Sequence, residues 1–264
     1  MVEAWVDDPA SLTEAQGGVA GLPAEADLVF TDPDNPDASE DLISGLFSVK
    51  KKDWFSSHSV AKTTALNESK PLLIVFTDSP SAESGGSPAS ARLESELLAR
   101  LDFSDWAAEH FIRLKLDFNV KGRKSADSKK QSLALKKEKY LASLKKRYKV
   151  SGFPAILVVS TDGTVIQKVR GYSPGNYEYT WGLLKTAVVI NEERQEKFER
   201  KLAKKGYRRW QGKNKNKILA RLASYKEGEI TLIAPNGRRY QTNEKNLSAD
   251  DLLWITEQKE KRKR

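Results

Sequence analysis

The 264-residue sequence has no cysteine, one methionine and two histidines. Without cysteine the chain cannot form disulfides, bind metal through thiolates or use thiol catalysis, and its redox compartment is left open. The histidines, His58 and His110, are far apart and fit no metal-ligand spacing, so no metal site or cofactor is expected and both read as structural or surface groups. Long apolar runs are also missing: nothing approaches the roughly 18 consecutive apolar residues of a membrane span. The first residues lack the basic-then-apolar pattern of a secretory signal, so an exported protein is expected here in its mature form. Residues 1–49 contain no Lys or Arg but eleven Asp or Glu. The net charge of +9 therefore hides an asymmetry, because 45 Lys and Arg face only 25 of the 36 acids over residues 50–264, a surplus of +20. That surplus suits either an anionic partner or the protein's own acidic arm.

What is present supports a packed core, with 39% hydrophobic and 9% aromatic residues in a length that suits one large domain or two modest ones. Residues 1–49 mix Pro, Gly, Asp and Ala without a sustained period and read as an extended or partly disordered acidic arm. Its apolar islands, Leu28-Val29-Phe30, Leu42-Ile43 and Leu46-Phe47, are available to dock on the folded body. A helix is expected over residues 54–70, stopped by Lys70-Pro71 before "LLIVFT", a run suited to a strand buried on both faces. Leu93, Leu97, Leu98 and Leu101 recur at spacings for one helical face. In "FIRLKLDF", Ile112, Leu114, Leu116 and Phe118 alternate with Arg113, Lys115 and Asp117 as in a strand. The order strand, helix, strand favours a parallel crossover.

Residues 121–137 carry seven Lys or Arg against Asp127 alone, the pattern of a solvated insertion leading into a helix. That helix runs on through "EKYLASLKKRYKV" to Ser151-Gly152. "FPAILVVS", "TDGT" and "VIQKVRGYS" then read as a hairpin, followed by a helix over about residues 177–190. Glu193 with Lys197 and Glu196 with Arg200 are i, i+4 acid-before-base pairs, which mark residues 191–206 as an exposed helical connector. From Tyr207 onward, short strands separated by Glu-Gly and Asn-Gly turns indicate a small antiparallel barrel over residues 207–258, with a basic tail at 259–264.

Local chemistry makes Ser87-Pro88 a good helix start, since Ser is a favoured N-cap and Pro a favoured first helical residue. The order of elements, together with "YKVSGFPAILVVSTDGTVIQKVRGY", makes residues 50–190 similar to the thioredoxin fold of bacterial thioredoxin-like proteins. The resemblance implies an α/β domain with a central mixed sheet flanked by helices, and a cis peptide bond before Pro154. It also places Ser87-Pro88-Ala89-Ser90 on the family's Cys-x-x-Cys, where helix N-terminal amides and the helix dipole stabilise a thiolate. Serine fills nearly the same space but carries no electrons, so the resemblance implies no thiol-disulfide oxidoreductase activity in this form. Two histories give this chain, natural divergence or replacement of Cys-Pro-Ala-Cys by serine, and the approach "SPSAESGG" departs from the family's Trp-containing one. "GGSPAS" is not the Gly-x-Ser-x-Gly elbow of hydrolases, and no group is seen to orient His58 or His110 as a base for serine catalysis.

The family's peptide groove falls on Phe153, Pro154, Pro88 and Ala89 beside the redox positions Ser87 and Ser90. The resemblance thus implies a protein or peptide partner, in a protein of the periplasm or otherwise exported. The segment "YRRWQGKNKNKILARLASYKEGEITLIAPNGRRYQTNEKNLSADDLLWI" resembles the Sla-type homology domain, a small SH3-like barrel. Its Trp210, Tyr225 and Tyr240 read as core aromatics, with a peptide groove as the alternative. A second functional reading is an electrostatic binder of an anionic polymer or surface, through the insertion at 121–137, the connector and the tail. The scatter of those basic residues, without interleaved aromatics, argues against nucleic acid.

Overall fold

The computed structural model describes residues 54–81, 85–213 and 217–263. The acidic arm and its apolar islands lie outside the described residues. Helix α1 (His58–Glu68) leads into β1 (Leu72–Thr77), and α2 (Pro88–Leu93), a π-helical turn (Glu94–Leu98) and α3 (Leu101–His110) follow. After β2 (Ile112–Asp117) come α4 (Ser128–Arg147), the hairpin β3 (Ala155–Val159) and β4 (Val165–Arg170), and α5 (Tyr177–Lys204). The sheet order is β2-β1-β3-β4, with β2 parallel to β1 and the other pairs antiparallel. All six residues of β1 are buried, as the unbroken apolar run requires for a central strand. Leu72, Ile74 and Phe76 pack under α1 and α4, while Leu73 and Val75 pack with Leu93, Leu97, Phe103 and Leu184 on the opposite face.

Three sequence expectations change here. The first helix begins at His58, because Phe55 pairs with Leu114 in a parallel bridge: its N–H donates to Arg113 O at 2.8 Å and its carbonyl accepts from Lys115 N at 3.0 Å. Phe55 thus extends the sheet at the edge of β2, and its extended backbone cannot also belong to the helix. Leu101 is 82% exposed whereas Leu93, Leu97 and Leu98 are buried. The π-helical turn and the extended Arg100 break the helix before α3 restarts, which rotates the register so that Phe103 and Ala107 face the core. Arg113, assigned by alternation to a polar face, is only 5% exposed. Its Nη1 donates to Ser104 O at 2.9 Å and Ser104 Oγ at 3.1 Å, and its guanidinium lies 5.5 Å from the Trp54 ring centroid, so α3 and Trp54 cover that face.

The connector is not a separate element, since α5 runs 28 residues without a break across positions 190 and 191. Beyond it, β5 (Tyr207–Gln211), β6 (Lys217–Lys226), β7 (Glu229–Ile233) and β8 (Arg239–Asn243) form an antiparallel sheet in that order. Glu227 and Gly228, at φ 50 and 87, make the tight β6–β7 turn, whose backbone twist needs positive φ at both positions. The final helix, α6 (Ala249–Lys263), extends through the tail, and its Ile255 joins Trp210, Ala220, Ile230, Leu232 and Leu247 in the second core. Trp210 donates from Nε1 to Ala220 O at 2.9 Å and lies in the core, while the half-buried Tyr225 and Tyr240 pack against the same cluster. A bridge between Gly212 and Leu247 joins the end of β5 to the strand-to-helix link, but β5 and β8 do not pair among the described residues. Among the described residues the unit is thus a four-stranded antiparallel sheet with a helix packed on its core.

The two units are fastened together. Leu66, Phe198, Leu202 and Leu219 form one buried cluster with Tyr207 against it, drawing on α1, α5 and β6. Above the cluster, Arg209 donates to Asn67 O and to Glu199 Oε1, each at 2.6 Å, and Ser69 Oγ donates to the same carboxylate at 2.6 Å. Hydrogen bonds to charged partners in a shared network are worth more than an exposed ion pair. Arg209→Ala should therefore lower unfolding free energy by about 1–3 kcal/mol. Arg200→Ala, which removes only the exposed pair with Glu196, should cost about 0.5 kcal/mol or less. Urea denaturation of both variants checks the contrast, and equal losses would contradict it.

Candidate functional site

The site is built at the C-terminal end of β1. Asp78 follows the strand, and its carbonyl accepts from Ser87 N at 2.8 Å while its N–H donates to Ser90 Oγ at 3.2 Å. These two bonds hold the start of α2 against the strand end. Ser87 is the N-cap, with extended backbone (φ −100, ψ 115) and Pro88 as the first helical residue; its Oγ accepts from Ser90 N at 3.4 Å. The loop before it turns tightly through Gly86, where φ is +58 and a Cβ would come 2.5 Å from Pro80 Cα, so only glycine fits. Asp117, at the end of the neighbouring β2, accepts from Ser79 N at 3.0 Å and Asn119 N at 3.1 Å, which fixes the adjacent loop.

The opposite wall comes from the loop before β3. The Phe153–Pro154 peptide bond is cis. Ser87 Oγ donates to Phe153 O at 3.4 Å, so residues 66 positions apart in sequence meet directly. Ser90 and Pro154 are buried, Ser87, Ala89 and Phe153 are half-buried, and Pro88 is exposed with Ser151 and Gly152. The structure thus brings together every residue singled out for this place by sequence. Ser90 is a structural hydroxyl that satisfies the Asp78 amide, and Ser87 bridges the two walls.

Two neighbours escaped the sequence reading. Phe118 lies just past β2 and stacks on Phe153 with ring centroids 4.7 Å apart, and Lys145 Nζ sits 4.3 Å from the Phe153 centroid. Helical periodicity places Lys145 next to the buried Leu144, a weak signal that it lies near the sheet, but nothing local pairs it with Phe153. His58 is buried, with Nε2 2.7 Å from Tyr148 Oη; burial pushes the Tyr148 phenol up to about 12, so it stays protonated near neutral pH. His110 stacks on Trp106 with centroids 5.2 Å apart. Both histidines have structural contacts, and the hydroxyls of Ser87 and Ser90 bond to backbone. A separate surface cleft, lined by Arg100, Asp102, Tyr177, Trp181 and Lys185, shares no residue with this site.

Among the described residues no three His, Asp or Glu side chains gather in a way that could hold a metal ion, and no helix is long and apolar enough to cross a membrane. With hydroxyls where a dithiol would be required, the site cannot form a disulfide or store two electrons. What remains is a shallow surface of exposed main chain, half-buried rings and one lysine.

A fold of this order, with the strand-end helix facing the loop before β3, defines a thioredoxin-like α/β domain. Residues 59–185 match the family model described as a thioredoxin-like domain, so this stretch, which contains no cysteine and is followed by a four-stranded antiparallel sheet, is similar to that family. Among solved structures, the DsbH oxidoreductase matches at 20% identity and TM-score 0.40, covering 52% of this chain and 84% of its own. The C-terminal domain of DsbD from Neisseria meningitidis, in its oxidised form, matches at 19% identity and TM-score 0.31, covering 48% of this chain and 95% of its own. A thioredoxin-fold protein from Helicobacter pylori matches at 17% identity and TM-score 0.32, covering 59% of this chain and 99% of its own. No curated protein matches the chain.

Because Ser90 Oγ accepts from Asp78 N, Ser90→Ala leaves that half-buried amide unpaired and should cost about 1–3 kcal/mol. Ser87→Ala, which removes an N-cap whose bonds are long, should cost about 1 kcal/mol or less. Chemical denaturation of the two single variants gives the ranking, and a reversed order would contradict these roles.

Proposed function

We propose that the chain is a polypeptide-binding protein in which a thioredoxin-like scaffold keeps a substrate groove and has no redox chemistry. The observation that carries this reading is the contact of Ser87 Oγ with Phe153 O, which joins the start of α2 to the loop before β3 in one surface. An extended polypeptide laid across Ser87, Pro88, Ala89, Phe153 and Pro154 would find exposed backbone at Ser151 and Gly152, the kind of main-chain recognition used in strand addition. The Phe153–Phe118 pair with Lys145 above it favours segments offering an aromatic or acidic side chain. The resemblance to thiol-disulfide oxidoreductases makes the groove the inherited part and the serines the altered part.

On this reading the C-terminal sheet is a Sla-type SH3-like domain, supported by its turn chemistry and by the Gly212–Leu247 bridge that draws its first strand towards its last segment. The protein works outside the cytoplasm, in keeping with the export signals usual for proteins of this resemblance. The electrostatic alternative has less support, because the basic residues of the insertion, connector and tail are divided among the start of α4, the second half of α5 and the end of α6.

A single-thiol trap tests the groove. In Ser87→Cys the new thiolate attacks a disulfide-activated cysteine, forming one mixed disulfide and releasing one leaving thiol. The readout is the rate with an unfolded polypeptide divided by the rate with a small-molecule disulfide, so that thiol reactivity cancels. Ser143→Cys, on the exposed side of α4, is the control. The ratio should be roughly tenfold higher at position 87, a difference of about 1.4 kcal/mol in favour of bound polypeptide. Equal ratios at the two positions would sink the proposal.

A further inference from the structure

The first half of α4 has little to do with the core. From Ser128 to Lys137 it buries only Ala134, while Leu133 and Leu135 are 48% and 47% exposed. Around those leucines stand Lys129, Lys130, Lys136, Lys137 and Lys139, all exposed. The sole carboxylate within the helix, Glu138, is already engaged by Arg123 at 3.6 Å. Lys129 and Lys130 occupy the first turn, which contains no acidic residue, so the helix dipole disfavours them where they stand. Leu133 and Leu135, two positions apart, flank the buried Ala134 on its two sides, and with the surrounding lysines these flanks suit an anionic, partly apolar partner.

The chain contains such a segment. Residues 25–47 carry seven Asp or Glu and no Lys or Arg, interleaved with Leu28-Val29-Phe30, Leu42-Ile43 and Leu46-Phe47. The arm enters the folded domain at Trp54 and Phe55, the latter bridged to Leu114 of β2, and His58 N three residues further on donates to Tyr140 Oη of α4 at 3.0 Å. Leu133 lies seven residues from Tyr140, about 10 Å along a helix. The residues between Asp41 and Trp54 span up to about 43 Å when extended, which sets the reach of the arm. Local tethering makes the encounter intramolecular and raises its effective concentration well above that of a free partner.

We propose that the acidic arm folds back on its own chain, with the apolar islands of residues 28–47 covering Leu133 and Leu135 and their acidic neighbours pairing with the lysines of α4. The contact neutralises much of the basic surplus of the folded body and withholds this helix face from other anionic partners. It is independent of the peptide groove at Ser87 and Phe153.

Zero-length carbodiimide cross-linking of the full chain at high dilution, read by mass spectrometry, tests it by joining carboxylates to amines in direct contact. The expected products are intramolecular links from Asp32, Asp34, Asp37, Glu40 or Asp41 to Lys129, Lys130, Lys136, Lys137 or Lys139. The full chain with Leu133→Ser and Leu135→Ser, both exposed positions, should keep its thermal transition and lose most of these links. Links directed instead to the lysines of α5 or α6, links only between two chains, or no links at all would overturn the proposal. Undiminished linking in the double variant would equally overturn it, since the leucines would then not hold the arm.

Discussion

The site depends on how β1 ends. A strand buried along its whole length must direct its polar groups forward once the neighbouring strands stop, and Asp78 is where the main chain of β1 loses its ladder partners. Its carbonyl and N–H are both taken by the start of α2, through Ser87 N and Ser90 Oγ. Because β1 pairs with β2 on one side and β3 on the other, the loops at that end of the sheet, carrying Phe118 and Phe153, arrive at the same place. The meeting of these loops with the start of α2 is thus a consequence of sheet order and needs no thiol to be assembled.

Hydroxyls suit this role better than thiols would. An oxygen acceptor at position 90 makes a stronger bond to the half-buried Asp78 amide than sulfur, and an oxygen at position 87 can both cap α2 and reach the Phe153 carbonyl. Ser87 therefore serves both as the cap of α2 and as the bridge to the loop before β3.

The order of elements in the first unit, the buried character of β1, the hairpin and the placing of Ser87 opposite Phe153 were legible in the sequence, because each rests on local chemistry or on a pattern covering more than a hundred residues. What was not legible depends on register and on partners distant in sequence. Leu101 fits the spacing of its neighbours, yet a π-helical turn rotates it into solvent, and such turns leave no composition signal. Arg113 sits on the polar side of an alternating strand but is covered by α3 and Trp54. Lys145 reaches Phe153 only through the packing of α4. The second unit was read correctly as short antiparallel strands, whereas closure into a barrel needs an edge pairing that strand spacing alone cannot predict. The joint between the units, made by Arg209, Glu199 and Asn67, was invisible for the same reason.

That joint gives the groove a fixed neighbour, since α5 both packs under the first sheet through Leu184 and carries Phe198 and Leu202 into the cluster shared with Leu219. A groove without chemistry earns its place only if it holds something. The most direct measurement is amide chemical-shift mapping of the full chain titrated with a carboxymethylated, permanently unfolded polypeptide, which cannot react and can only bind. Saturable shifts centred on Ser87, Ala89, Gly152 and Phe153 are the predicted result. Shifts confined to other surfaces, or none at these residues, would contradict the account.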